Sequence, residues 1–124
     1  MAKHITQLLP VKPLADQNTK IFYLDGREIQ DKQSFLQKVA EVMQFPDYFG
    51  YNWDAFEECI TDLDWCPAAQ YILIYDYPEA FSTAEPEEWM IAYDILRLAV
   101  EYWQSTDTPL GVLLFGETLT DRTL

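Results

Sequence analysis

The chain reads as an α/β domain: a small three-stranded parallel sheet with helices packed against it. Two observations predict this. Short runs of strand character alternate with longer stretches of helical periodicity in the order β-α-α-β-α-β, which favours parallel strands joined by right-handed crossovers. The 124 residues are 49% hydrophobic and 15% aromatic, so one well-filled core is available, and folding at this size removes roughly two-thirds of the chain's surface from water.

Residues 1–18 hold Pro10, Pro13 and mixed polar residues without a sustained period and read as a loosely attached lead-in. The domain proper spans 19–116, and 117–124 read as a tail. Lys20-Ile21-Phe22-Tyr23-Leu24 is the first strand, closed by the turn signal Asp25-Gly26. Asp31 suits an N-cap, because Phe35, Leu36, Val39, Val42 and Met43 follow it at helical spacing. Pro46 ends that helix. Gly50 supplies backbone freedom in an aromatic turn, and Asn52 caps a second helix running to about Leu63. Ala69 to Asp76 is a continuous apolar run of strand length, of the kind buried on both faces. A polar, acidic connector is expected through Ser82 and Thr83. Pro86, with Glu85, Glu87 and Glu88 around it, starts a long helix at the end that favours negative charge. Trp89, Ala92, Leu96, Ala99 and Trp103 form its apolar stripe. Pro109 and Gly111 interrupt the chain around the last strand, Leu110 to Phe115.

Charge narrows the function. The formal net charge is −13; phosphates require Lys and Arg, so direct binding to nucleic acid is disfavoured, as is an anionic membrane surface. From Val39 to Leu96 no Lys, Arg or His occurs, while thirteen Asp and Glu do. Carboxylates without bases nearby project a negative field outward, which suits a basic partner. The first ten residues lack the apolar core of a signal peptide, and no apolar run approaches a membrane span. A cytoplasmic protein is expected, with Cys59 and Cys66 as reduced thiols rather than a bridge or metal site.

On a helix at about 100° per residue, Trp53, Phe56, Cys59, Ile60 and Leu63 gather on the side that faces a core. Asp54, Glu58 and Thr61 gather opposite, with Asp62 close by and Glu57 at the edge. A charged helix face is ordinarily just solvated. Here the missing lysines, and Tyr48, Phe49 and Tyr51 directly before the helix, favour a binding surface. Other chemistry is poorly supported. His4 is the sole histidine, so no His-based triad or His–metal cluster is available. No Gly-rich phosphate loop occurs, and Asp62-Leu63-Asp64 holds only a fragment of calcium-loop spacing. Paired carboxylates of a hydrolase, with Asp54 or Glu101 facing another acid, remain a pattern the sequence permits.

The run Phe45-Pro46-Asp47-Tyr48-Phe49-Gly50-Tyr51-Asn52-Trp53-Asp54-Ala55 strongly resembles the barstar family, intracellular protein inhibitors of secreted bacterial ribonucleases such as barnase. The resemblance extends from about Lys20 to Phe115. It implies a three-stranded parallel sheet, no cofactor, and a binding face made by the second helix and the loop before it. The positions that carry over are Tyr48, Gly50, Asn52, Asp54 and Glu58, with Glu101 on the long helix. Three positions depart from barstar: Glu58 stands for Asp, and Glu57 and Leu63 each stand for Trp.

The resulting expectation is a monomeric, acidic, non-enzymatic inhibitor of a basic ribonuclease, acting through helix carboxylates that mimic RNA phosphates. Its contact set is Tyr48, Gly50, Asn52, Asp54, Glu57, Glu58, Thr61, Asp62 and Glu101. The alternatives are an interaction module of the same fold with a non-nuclease partner, or a small carboxylate-dependent hydrolase.

Overall fold

The computed structural model describes residues 18–116, together with the backbone of His4–Leu8. The elements in chain order are β1 (His4–Leu8), β2 (Thr19–Asp25), α1 (Lys32–Met43), α2 (Trp53–Ile60), β3 (Gln70–Asp76), α3 (Glu79–Ala84), α4 (Pro86–Gln104) and β4 (Leu110–Gly116). A 3-10 turn, Gly26–Glu28, follows β2. The strands form one sheet in the order β1-β4-β3-β2. As the alternating pattern requires, β2, β3 and β4 are parallel.

Two departures add to that expectation. His4–Leu8, within the expected lead-in, pairs antiparallel with β4 and makes a four-stranded sheet. Five residues with little alternation carry almost no strand signal, and one backbone ladder is enough to fix an edge strand. The expected connector also contains α3, whose six residues are too few to show a helical period.

Strand register explains the core. Phe22, Leu73 and Val112 form one row across the parallel strands, and Leu24, Tyr75 and Leu114 form the next. All six belong to the core cluster, where the helices supply the opposite wall. Phe35 of α1 is its hub, with ring centroids 5.3 Å from Phe56, 5.7 Å from Trp53 and Phe81, and 6.0 Å from Tyr75. On the other face of the sheet Ile72 is buried, whereas Ile21 and Tyr23 of the edge strand β2 are about half exposed.

Local chemistry sets the helix starts. The Asp31 carboxylate accepts the Ser34 N–H at 2.8 Å while the Ser34 hydroxyl oxygen accepts the Asp31 N–H at 3.1 Å, a reciprocal cap. Pro86 occupies the first turn of α4, where its missing N–H has no helical partner to lose. Gly26 is needed for space, since a Cβ there would collide with the carbonyls of Asp76 and Tyr77.

Two tyrosines of β3 differ in one respect that decides their substitution. The Tyr71 hydroxyl donates to the Cys66 carbonyl at 2.7 Å. The Tyr75 hydroxyl is buried and, among the described residues, has no hydrogen-bond partner; burial raises its pKa far above the usual phenol value. Tyr75→Phe is therefore expected to leave stability unchanged or raise it, by relieving an unmet desolvation cost of about 1–3 kcal/mol. Tyr71→Phe is expected to cost about 1 kcal/mol. Urea denaturation of both variants measures this; a loss in Tyr75→Phe as large as in Tyr71→Phe would show that the buried hydroxyl is satisfied in solution.

Candidate functional site

The acidic helix α2 is held by caps and by its neighbour α4. Asn52 accepts the Ala55 N–H on its side-chain oxygen at 2.8 Å, which starts the helix. The inner stripe buries Phe56, Cys59 and Ile60, with Trp53 partly buried. At the start, the Trp53 indole N–H donates to Glu88 of α4 at 2.9 Å, and the Lys32 ammonium lies 5.7 Å from the Trp53 ring centroid. At the end, the Trp103 indole N–H donates to the Ile60 carbonyl at 2.8 Å. The two helices therefore run side by side in the same direction.

The helix stops at Ile60 rather than near Leu63 because its last carbonyls are claimed there. The Thr61 hydroxyl donates to the carbonyl of Glu57 at 2.8 Å and of Glu58 at 3.3 Å. The N–H groups of Asp62 and Leu63 both reach the Cys59 carbonyl, at 3.1 and 3.2 Å, with Leu63 in the left-handed region at φ 52°. Thr61 and Asp62 thus sit in the turn beyond the helix.

The outer surface is acidic and unneutralised. Asp54, Glu57, Glu58 and Asp62 are exposed. Among the described residues their carboxylates make no ion pair or hydrogen bond, whereas elsewhere Arg27 pairs with Asp25, Lys38 with Glu28 and Glu41, and Arg97 with Asp94 and Glu101. Tyr48, Glu58, Cys59, Thr61 and Asp62 line an open pocket of about 410 Å³. It lies at the C-terminal end of α2, the negative pole of the helix dipole. Burial, and then Asp62 and Glu58, raise the Cys59 thiol above its usual pKa, so it stays neutral. Partial desolvation raises the Tyr48 phenol, and the negative groups around it add to the shift. The pocket thus gathers two carboxylates, a helix pole and a neutral wall, a surrounding of negative potential.

The expected contact residues are distributed unevenly. Tyr48, Glu58, Thr61 and Asp62 meet around the pocket, while Asp54 and Glu57 extend the same acidic surface along α2. Asn52 is exposed but uses its side chain on the cap and, at 3.4 Å, on the Gly50 carbonyl. Gly50, expected to supply backbone freedom, is not in the left-handed region; Tyr51 is, at φ 54°. Glu101 is exposed on α4 and held at 3.4 Å by Arg97. At about 100° per residue it lies roughly opposite Glu88 and Trp103, away from α2. Cys59 is the lining residue that sequence reasoning assigned only to the core; a small side chain on the inner stripe gives no sign that it also floors a pocket. A second acidic depression, lined by Glu85, Pro86, Glu87 and Glu88, is less available. Glu88 is engaged by Trp53, and Glu85 accepts the Lys32 backbone N–H at 3.2 Å.

Among the described residues, no group of three or more His, Cys, Asp and Glu side chains is placed to hold a metal ion, and no helix is long and apolar enough to cross a membrane. Cys59 and Cys66 are free thiols.

The two ends of α2 and its outer face respond differently to substitution. Trp103→Phe leaves the Ile60 carbonyl without its donor and is expected to cost about 1–3 kcal/mol. Glu58→Ala removes one of two like charges four residues apart and is expected to raise stability by a few tenths, within about 0.2–0.5 kcal/mol. Chemical denaturation of the two variants checks both signs; a substantial loss in Glu58→Ala would mean that this carboxylate supports the fold.

Comparison with known families adds to this geometry. A family model described as Barstar (barnase inhibitor) matches residues 19–114. No curated protein matches the chain.

Proposed function

The chain belongs to the barstar family of barnase inhibitors, and on that premise we propose that it blocks the active site of a basic ribonuclease with the acidic outer face of α2. The observation that carries the reading is the set of unneutralised carboxylates around the Tyr48–Glu58–Asp62 pocket. Acids engaged in the fold could not also receive a partner's cations. These are held in position by the caps and the indole bonds behind them, yet among the described residues nothing in front satisfies them.

A ribonuclease binds RNA phosphates with Arg, Lys and His side chains. In the proposed complex Glu58 and Asp62 meet those cations through charge-assisted hydrogen bonds, occupying the space of a phosphate group. Tyr48, exposed at 73%, covers the rim, and Asp54 and Glu57 continue the charge along the cleft. The protein performs no chemistry of its own; inhibition is occlusion. Glu58 is one methylene longer than the Asp of barstar and reaches further from the helix. Glu57 and Leu63, standing where barstar has Trp, make the surface around it less aromatic.

Barnase-catalysed RNA cleavage, titrated with the protein, tests the proposal. Inhibition is expected, and Glu58→Ala should weaken it by about 3–5 kcal/mol, the usual cost of stranding one member of a buried charge pair. The association rate should fall steeply between low and physiological ionic strength, because screening shortens the reach of the field to about 8 Å. Barnase remaining active under saturating protein, or an association rate indifferent to salt, would overturn the reading.

A further inference from the structure

The residue between Gly50 and Asn52 is anomalous. Tyr51 holds a left-handed backbone at φ 54°, a region where the Cβ of an L-residue crowds the following carbonyl and glycine or asparagine fits with less strain. Nothing in the turn forces a tyrosine here. Gly50 stands beside it, and neither the N-cap bond from Asn52 nor the start of α2 uses the Tyr51 side chain.

The ring is nevertheless firmly placed. Its centroid lies 4.7 Å from that of Phe49, which is buried. Phe49 meets Phe45 edge-on at 5.0 Å, and Phe45 meets Trp65 edge-on at 5.8 Å. The Trp65 indole in turn donates to the Met43 carbonyl at the end of α1, at 3.2 Å. This row of rings runs from the core to the surface and ends in a tyrosine that is 48% exposed. A core residue would be buried, and a solvated loop residue would not be braced by a buried aromatic. The arrangement fits a plate presented to something else.

Its surroundings specify what that is. Tyr51 lies in the base-free stretch from Val39 to Leu96, directly before the N-cap of α2 and three residues before the exposed carboxylate of Asp54. An aromatic face is electron-rich and attracts a cation, and the negative field of the neighbouring carboxylates draws cations to the same surface. Guanidinium is planar, so it can stack on the ring while its edge N–H groups turn toward carboxylate oxygens, which a compact ammonium cannot do.

The geometry points to Tyr51 as a specificity-determining contact that stacks an arginine side chain of the partner ribonuclease. This rests on the inhibitor reading of α2, and it assigns to the loop a different part of the partner from the cation held at the Glu58 pocket.

The test compares Tyr51→Gly, Tyr51→Asn, Tyr51→Phe and Glu58→Ala by thermal melting and by Kd for barnase. Tyr51→Gly and Tyr51→Asn both suit the left-handed backbone, so their melting temperatures are expected to stay level or rise while Kd increases about 3- to 30-fold. Tyr51→Phe keeps the ring face and is expected to bind as wild type. If Tyr51→Gly and Tyr51→Asn bind as wild type while Glu58→Ala has lost affinity, the inference on Tyr51 fails and the inhibitor reading stands. If Glu58→Ala also binds as wild type, or wild type leaves barnase uninhibited, both fail. A large fall in melting temperature in both Tyr51→Gly and Tyr51→Asn overturns the inference by showing that the ring holds the loop together. Affinity lost equally in Tyr51→Phe overturns it by placing the contact at the hydroxyl.

Discussion

Fastening α2 at both ends to α4 is the condition on which the site depends. A helix of eight residues is too short to persist alone in water. This one also carries Glu57 and Glu58 toward its negative pole, with no base in the last turn, an arrangement that works against the helix. What keeps it folded lies behind it: a buried stripe, the Asn52 cap, and the indole N–H bonds from Trp53 to Glu88 and from Trp103 to Ile60. The outer face is thereby released from structural duty and can carry charge that would unravel an isolated helix.

The acids of this chain accordingly fall into two groups with different energetics. Asp31 closes a cap, Asp25 pairs with Arg27 and Glu88 holds an indole. Each is fixed by its partner, and its replacement is felt as lost stability. Asp54, Glu57, Glu58 and Asp62 have no such partner among the described residues, and their mutual repulsion is a standing cost to the free protein. Such a cost is recovered only where an opposite charge arrives, which makes the free protein slightly less stable and the encounter with a basic surface more favourable.

Much of the fold was legible because it is written in local chemistry. Asp31, Asn52 and Pro86 start their helices where capping rules place them, and the apolar run from Ala69 to Asp76 holds the strand its composition suggests, Gln70–Asp76. β1 and α3 were not legible, since five and six residues are shorter than the window in which periodicity can be recognised. Within the candidate site, the chain's charge pattern pointed to α2 and helical spacing put Glu58, Thr61 and Asp62 near one another, whereas Tyr48 entered from the aromatic loop before the helix and the family resemblance. The position of the helix end did not, because it depends on a threonine hydroxyl and a distant tryptophan. Nor does the sequence mark Tyr51, rather than the neighbouring Gly50, as the residue with a left-handed backbone, since glycine carries that preference and tyrosine does not.

The antiparallel strand β1 has a consequence for how the protein behaves in company. β4 reads Leu-Gly-Val-Leu-Leu-Phe-Gly, without a single charge, and its register with β1 runs from Val112 to Gly116. An uncharged, β-prone strand with an open hydrogen-bonding edge is a template for the edge of another chain and a seed for aggregation. β1 occupies that edge. At the opposite border of the sheet the exposed edge belongs to β2, whose ends carry Lys20 and Asp25, side chains that discourage such stacking. The short leading strand thus covers the border at which the apolar β4 would otherwise offer its backbone to another chain.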